Sequence, residues 1–508
     1  MIRRTALGII LIALSLFCVG QQAQAQKSAD TLRVVFRDGV PNIDPYYNQL
    51  RTGLMIQHQA WDALVYRDPD TFEIKPLLAT EWKFVDPVTL DFTLRQGVKF
   101  HDGSTFSADD VVYTINLVSN PDSKVSTPSN YIWIDRAEKT GDYSVRVIFK
   151  KPTPAALQFF ALVVPIYPKA YREKVGAEGY AKAPIGAGPY KITKVEPAVS
   201  VDFERFEDYW AGSPKGKPAI KNMSIRFVPD AATEMTELLA QHADWIYNFS
   251  PDQLAGVNRM PYLQAVQKES MRIGYLSIDA AGRSGAGNPL TNLKVRQAIW
   301  HAIDRQAMAD KLVTGGSRVP PAPCYPPQFG CDGDVAVKYD YDPAKAKALL
   351  AEGGYPNGFE IDLVSYVLPS WGAAVQNYLQ AVGIKANLVQ LQVAAAVERA
   401  AKGQNPLYFG SWGSYSVNDV SAILPNYFTF GNDDYARDAE MKRLVEEGGA
   451  TNEPEKRHAA YAAAIKRATE QAYWVPMFTY VSSYAYSKTL DFTPYSDELP
   501  RFYLCKWK

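Results

Sequence analysis

Apolar and polar residues alternate with period two at several places along the chain, and each such run predicts a strand. Thr31 to Arg37 (TLRVVFR) is the first, and Leu90 to Leu94 and Val145 to Phe149 follow. Elsewhere the apolar spacing turns helical. Ser107 to Ser119 opens with Ser107 and Asp110, a capping box in front of the run VVYTINLV. Asp342-Pro343 opens another helix, since proline in the first turn lacks an N–H that would have no partner anyway, and Gly353-Gly354 stops it. A strand (Phe359 to Tyr366), a helix (Trp371 to Val382), a strand (Ile384 to Leu391), a helix around Ala394 to Lys402 and a strand (Pro406 to Trp412) then succeed one another. That alternation is the signature of an α/β protein, and this part of the chain reads as a lobe of its own. No internal repeat or low-complexity tract interrupts it.

A chain of 508 residues exceeds what one core supports, so two or three compact units are expected. Its first residues belong to none of them. Arg3 and Arg4 precede an apolar stretch from Ala6 to Val19, and Ala23-Gln24-Ala25 is a small-x-small cleavage site, the layout of an export signal cleaved after Ala25. The apolar stretch falls short of the roughly 20 residues that span a bilayer, and no comparable run follows. Cys18 has Phe17 before it, where lipid attachment requires a small residue, so a lipid anchor is not expected. Two arginines leave with residues 1–25, so 52 Lys and Arg face 54 Asp and Glu, a balance of −2 that implies no nucleic acid or other polyanion as partner. Cys324, Cys331 and Cys505 remain, far too few for a disulfide scaffold. Cys324 and Cys331 lie in the loop-like stretch PPAPCYPPQFGCDGD, where an oxidising compartment favours a small staple over free thiols. Zinc does not fit them, because neither belongs to a CxxC pair and no His lies nearby.

The stretch LLATEWKFVDPVTLDFTLRQGVKFHDGSTFSADDVVYTI (Leu77 to Ile115) closely resembles the signature of the peptide, nickel and opine class of extracytoplasmic solute-binding proteins, family 5. Further matches follow in order: IGAGPYKI (Ile185 to Ile192), the D-Y-W-x-G run at Asp208 to Gly212, VRQAIWHAIDRQAM (Val295 to Met308) and YDPAKAKALLAEGGYPNGFEIDL (Tyr341 to Leu363). The resemblance implies a two-lobed, hinged α/β receptor with an extra subdomain, which binds a small polar ligand without transforming it. It also implies delivery to an inner-membrane ABC permease with its cytoplasmic ATPase, a periplasmic location, a monomer and no cofactor. On this basis lobe I takes 26–75, 195–280 and 476–508, its extra subdomain 76–194, and lobe II 281–475. The chain is then expected to cross between lobes near Gly274 to Asp279 and near Trp474 to Tyr480.

Most of the matched residues read as structural. His101-Asp102-Gly103 is a tight turn, with Gly103 supplying the permissive backbone. The glycines of Gly186 to Gly188 lack the third member of a dinucleotide fingerprint and also read as a turn. Arg296 and Asp304, eight apart, are expected in surface or interlobe pairs, and Trp300 in the core.

Binding points instead to GSWGSYSVNDVSAIL (Gly410 to Leu424), which begins where a strand ends. In open α/β sheets ligands settle beyond the carboxyl ends of strands, so Trp412, Tyr415, Asn418 and Asp419 are expected to line the cleft. In the peptide-binding relatives the segment resembles W-x-x-D, whose aspartate pairs with a free α-ammonium group. Here Tyr415 stands at that position, with Asp419 four residues later as a partial substitute. The carboxylate-clamping arginine implied by the dipeptide receptors has no counterpart between Phe359 and Gly383, where Ser365, Tyr366, Ser370 and Trp371 stand; Trp371 joins the candidates. Tyr46, Tyr47 and Asn48, just after the first strand, are the candidates for the opposing wall. Such a cleft suits stacking on flat or ring-shaped solutes, such as sugars, opines or modified peptides, better than charged free dipeptides. A secreted hydrolase would need a nucleophile with its base, or a metal set. The chain has no GxSxG and no HExxH, and its five histidines, His58, His101, His242, His301 and His458, are not spaced as ligands.

Overall fold

The fold is described from a computed structural model, over residues 30–48 and 50–508; the export signal, Cys18 and the cleavage site after Ala25 lie outside them. The alternation in TLRVVF forms β1 (Thr31–Phe36), which sits in parallel between β10 (Asn222–Phe227) and β11 (Trp245–Tyr247). A strand with neighbours on both sides and helices over its faces has few exposed positions, and Leu32, Val34, Val35 and Phe36 are all fully buried. β9 (Ser200–Arg205) and β8 (Tyr190–Glu196) extend this half of the sheet antiparallel.

The other half is the βαβ region read from residue 359 onward. β13 (Phe359–Ser365) lies parallel between β14 (Ile384–Gln390) and β15 (Leu407–Trp412). Two long strands join the halves: β12 (Leu263–Ile278) and β16 (Trp474–Ser487), paired antiparallel. The result is one ten-stranded sheet in the order β14-β13-β15-β12-β16-β11-β1-β10-β9-β8. The β12/β16 ladder is broken between Glu269 and Ile273, opposite Thr479 to Val481, and again between Gly274 and Tyr275. On β12 the first break precedes the stretch from Gly274; it is where the neighbours change from one half of the sheet to the other.

A separate antiparallel sheet is built from β4 (Ala79–Asp86), β5 (Thr89–Leu94), β7 (Ser144–Phe149) and β6 (Ile134–Gly141), and its core is continuous with that of the first half. The helix Ala108–Ser119 that covers it has the capping box: the Ser107 amide donates to Asp110, and the Ser107 hydroxyl accepts from the Asp109 amide. The helix Pro343–Glu352 starts at an Asp342 cap. His101 turns at Gly103, whose φ is +87°, and reaches Gly186 and Gly188: the Gly186 amide donates to Nδ1, and Nε2 meets the Gly188 carbonyl. Burial lowers its pKa to about 4, so the ring is neutral. Any side chain at Gly186 or Gly188 would collide with the backbone of Ala60, which gives this glycine pair its structural reason.

Arg296 corrects one expectation. It is buried, and its guanidinium donates to the carbonyls of Gln471, Leu290 and Thr291 instead of forming a surface or interlobe pair, while Asp304 caps the helix Arg305–Met308. Trp300 lies in the core. Among the described residues no helix is long and apolar enough to cross a membrane.

Candidate functional site

The two halves meet along a seam beside the break in β12. On the first half, the helix Arg51–Ala60 begins with Arg51, and the C-terminal segment contributes Asp497, Glu498 and Arg501. Asp497 is fully buried between two guanidiniums, accepting from Arg67 Nη2 at 2.7 Å and from Arg501 Nη2 at 2.6 Å. Burial alone would raise its carboxyl; Arg501 and Arg67 outweigh that and hold it well below the usual carboxylate range. Glu498, held at φ +61°, faces the seam. Its Oε2 accepts from Arg51 Nη2 at 2.5 Å and lies 3.6 Å from Arg272 Nη2, and its Oε1 accepts from the Ser482 hydroxyl at 3.2 Å. Here too burial acts upward, but Arg272 and Arg51 hold the carboxyl at about 2.

The second half contributes the end of β15 and the loop after it. Trp412 donates from Nε1 to the Ala422 carbonyl at 2.8 Å, and its ring meets Tyr415 edge-on at 5.0 Å. Ser414, Tyr415 and Ser416 all adopt left-handed backbone, with φ of 50°, 50° and 63°. For residues with side chains each such angle costs of order 1 kcal/mol, so three in succession persist only where contacts enforce them. The contacts are across the seam. Ser416 Oγ accepts from Arg51 Nη1 at 2.7 Å and donates to the Asp497 carbonyl at 2.8 Å, and the Ser416 carbonyl accepts from Arg67. Tyr415 interacts with the side chain of Ser129, and Val417 and Ala422 pack into the core of the first half.

A brace holds this loop from behind. Cys324 and Cys331 are joined by a disulfide, and the short loop they close runs beside the wall. Gln328 donates to the Val417 carbonyl at 2.8 Å, the Phe329 amide to Asn418, and the Val420 amide to Phe329. Arg457 lies over the Phe329 ring and grips both oxygens of Asp419, at 2.8 and 2.9 Å.

The geometry sorts the residues singled out in the sequence. Trp412 and Tyr415 are brought together at the seam. Asp419 is fully committed to Arg457, so the charge it was expected to lend a ligand is matched within its own half. Asn418 holds the brace through its backbone, and its Oδ1 is buried without a partner among the described residues. Trp371 is buried, with its ring edge-on to Phe478 and Tyr480. Tyr46 corrects the expectation of an opposing wall. The Asp44 carboxylate, which accepts from the Tyr46 amide, folds the turn inward, and the Tyr46 ring packs against Tyr131 and Tyr167 with its hydroxyl on the Pro165 carbonyl. Tyr47 donates to the Ser123 carbonyl and Asn48 to that of Asp44. The side chains that meet the loop across the seam are instead Arg51 and Arg272, with Glu498 between them. The signals for them were present but faint: an arginine inside the apolar strand MRIGYLSI, and a DELPR run near the end of the chain. Among the described residues no three His, Cys, Asp or Glu side chains gather to hold a metal ion.

Comparison with known proteins places the chain among relatives of one kind. The sequence profile described as bacterial extracellular solute-binding proteins, family 5 Middle, matches residues 73–435. The chain is 26% identical over 456 residues to heme-binding protein A of Haemophilus influenzae, covering 82% of this chain and 81% of that protein. It is 27% identical over 467 residues to the glutathione-binding protein GsiB of Salmonella typhi, covering 88% of each. Among solved structures, HbpA2 from Haemophilus parasuis superimposes with a TM-score of 0.80 at 25% identity, over 94% of this chain and all of that one.

Proposed function

Because the chain belongs to the bacterial extracellular solute-binding proteins of family 5, we propose that the seam between its two halves is the mouth of a cleft that closes on one small polar solute. The protein is the substrate-binding component of an ABC importer of the peptide, opine and nickel class, acting outside the cytoplasm. The finer reading is that residues 281–475 form a second lobe which swings on β12 and β16, and that the wall of Trp412 and Tyr415 closes against Arg51 and Glu498. One observation carries it: among the described residues, these two strands alone belong to both halves of the sheet, and their ladder is broken where the halves change over. A hinge needs such a place, where backbone pairing already yields. Binding then stabilises the closed arrangement by the ligand's differential affinity for it. The solute leaves unchanged for the membrane permease, and the receptor acts as a monomer, its export signal removed after Ala25. Haem and glutathione, named for the two relatives, are both solutes with free carboxylates, and a molecule of that kind suits the cleft.

The experiment is small-angle scattering of the protein, first stripped by unfolding and refolding and then saturated with whatever mass spectrometry finds released from the native preparation. The radius of gyration is expected to fall on saturation. An unchanged radius at demonstrated saturation overturns the hinge reading. N-terminal sequencing of the exported protein is expected to begin at Gln26, and a start at a lipid-modified Cys18 would sink that assignment.

A further inference from the structure

Arg272 is the residue of the seam whose charge is least accounted for. It lies in the broken part of β12, at 270–272, where β16 offers no pairing partner and the Met271 amide turns to the Ser496 carbonyl instead. Its side chain stays 30% exposed although Tyr247, Tyr366, Tyr480 and Glu498 surround it. A guanidinium carries five donors, yet the hydrogen bond described for Arg272 is a single long one, 3.4 Å from Nη1 to the Ser411 hydroxyl. Glu498, its ionic partner at 3.6 Å, is already engaged by Arg51 at 2.5 Å, so two guanidiniums share one carboxylate. Nearby acids do not redress the balance: Asp497 is taken by Arg67 and Arg501, and Glu269 by Arg318. Four guanidiniums, Arg51, Arg67, Arg272 and Arg501, therefore share two carboxylates, Asp497 and Glu498, and the surplus charge nearest the seam is that of Arg272. Above it comes Gly413, where even a methyl group would stand 3.1 Å from Arg272 Nη2, so the absence of a side chain lets the loop lie close over the guanidinium without donating or accepting a bond there.

We propose that Arg272 is the anchor for a carboxylate of the transported solute. The planar fork of a guanidinium matches a carboxylate with two parallel bonds, and an enclosed recess strengthens both. Tyr366 has its hydroxyl tied to Ser411 in both directions, at 2.7 and 2.6 Å, so its position beside the anchor is fixed. The ligand class is then a carboxylic acid, with its remaining surface facing tyrosines. This rests on the cleft being a solute site, and the test keeps the two apart.

Calorimetry on stripped wild type, Arg272→Gln and Arg272→Lys would use tripeptides as free acids and C-terminal amides, glutathione and its diamide, and sugar acids against their parent sugars. Wild type is expected to bind acids at least about thirtyfold more tightly than their neutral counterparts. Arg272→Gln is expected to erase that preference, and Arg272→Lys to keep part of it, with thermal melts of the stripped proteins close to wild type. Equal binding of acid and neutral forms by wild type overturns the anchor and leaves the solute site standing. So does an Arg272→Gln protein that loses both forms alike, because that marks a structural strut. A wild type that binds no member of the panel overturns both readings.

Discussion

The wall that the first half brings to the seam is ionic, with Arg51, Arg67, Arg272 and Arg501 set among Asp497 and Glu498. The facing wall is aromatic, Trp412 and Tyr415 backed by Tyr427, with Asp419 beside it neutralised by Arg457. The two differ in what they fix. Buried ions are held by directional bonds and tolerate little displacement, because each one left unmatched carries its full desolvation penalty. Aromatic faces give area without direction, so the shape of that wall must come from its backbone. The left-handed run at 414–416 and the disulfide brace supply it. On the proposed reading, a charge on the ligand would be placed by one wall, and the rest of the molecule accommodated by the other.

The largest expected effect breaks the ionic wall at its centre. Asp497→Asn keeps the shape but leaves Arg67 and Arg501 buried without a counter-ion, and removing one partner of a buried pair costs about 3–5 kcal/mol. Urea unfolding measures it, and a loss below about 1 kcal/mol would mean that water reaches the site. The same wall predicts an acid limb. Asp497 and Glu498 both have folded pKa values below their unfolded ones, so the stability they contribute is present above about pH 4.5 and is lost as pH falls toward 2. Arg51→Gln, which removes one of the two guanidiniums beside Glu498, is expected to flatten that limb, whereas Trp412→Ala leaves its slope unchanged.

Next in size is the brace behind the aromatic wall. Cys324 and Cys331 are seven positions apart, and closing so small a loop is worth about 2.5 kcal/mol in the chain-entropy account. The double change Cys324→Ser, Cys331→Ser is expected to lower stability by up to that amount. It should also weaken ligand binding, since Gln328 and Phe329 hold Val417 to Val420. Equal affinity in the reduced and oxidised proteins would show that Arg457 and Asp419 shape the wall without the disulfide.

The contrast between the walls also explains what could be read from the sequence. The capping box at Ser107 and Asp110 and the Asp342-Pro343 start are local, decided within one turn, and they stand in the structure. The place of Trp412 and Tyr415 at the end of a strand and in the loop after it is legible because topology puts loops at strand ends, whatever the rest of the chain does. The ionic wall is not, because Arg51 and Glu498 are 447 positions apart and a strand arginine carries no sign of its partner. The pairing of Asp419 is hidden for the same reason, its partner lying 38 residues on. Tyr46 follows the first strand as a cleft residue would, and only packing against Tyr131 and Tyr167 turns it inward.

The smallest effect is a gain. Ser414 is buried in left-handed backbone, and its hydroxyl has no partner among the described residues. Ser414→Gly removes a backbone cost of about 1–2 kcal/mol and an orphaned hydroxyl worth about 1 kcal/mol or more, against about 1 kcal/mol of added chain entropy in the unfolded state. The net expectation is a stabilisation of about 1 kcal/mol in urea unfolding. Gly413→Ala is the matched control. Its backbone is not left-handed, φ −109°, but its new methyl group would press on Arg272, so a small loss of stability and of ligand affinity is expected. Should Ser414→Gly destabilise instead, the hydroxyl has a partner, and the left-handed run is held by a bond at Ser414 itself. Should Gly413→Ala leave affinity untouched, Arg272 does not stand beneath the loop when the ligand is bound, and the division of labour between the two walls fails at its point of contact.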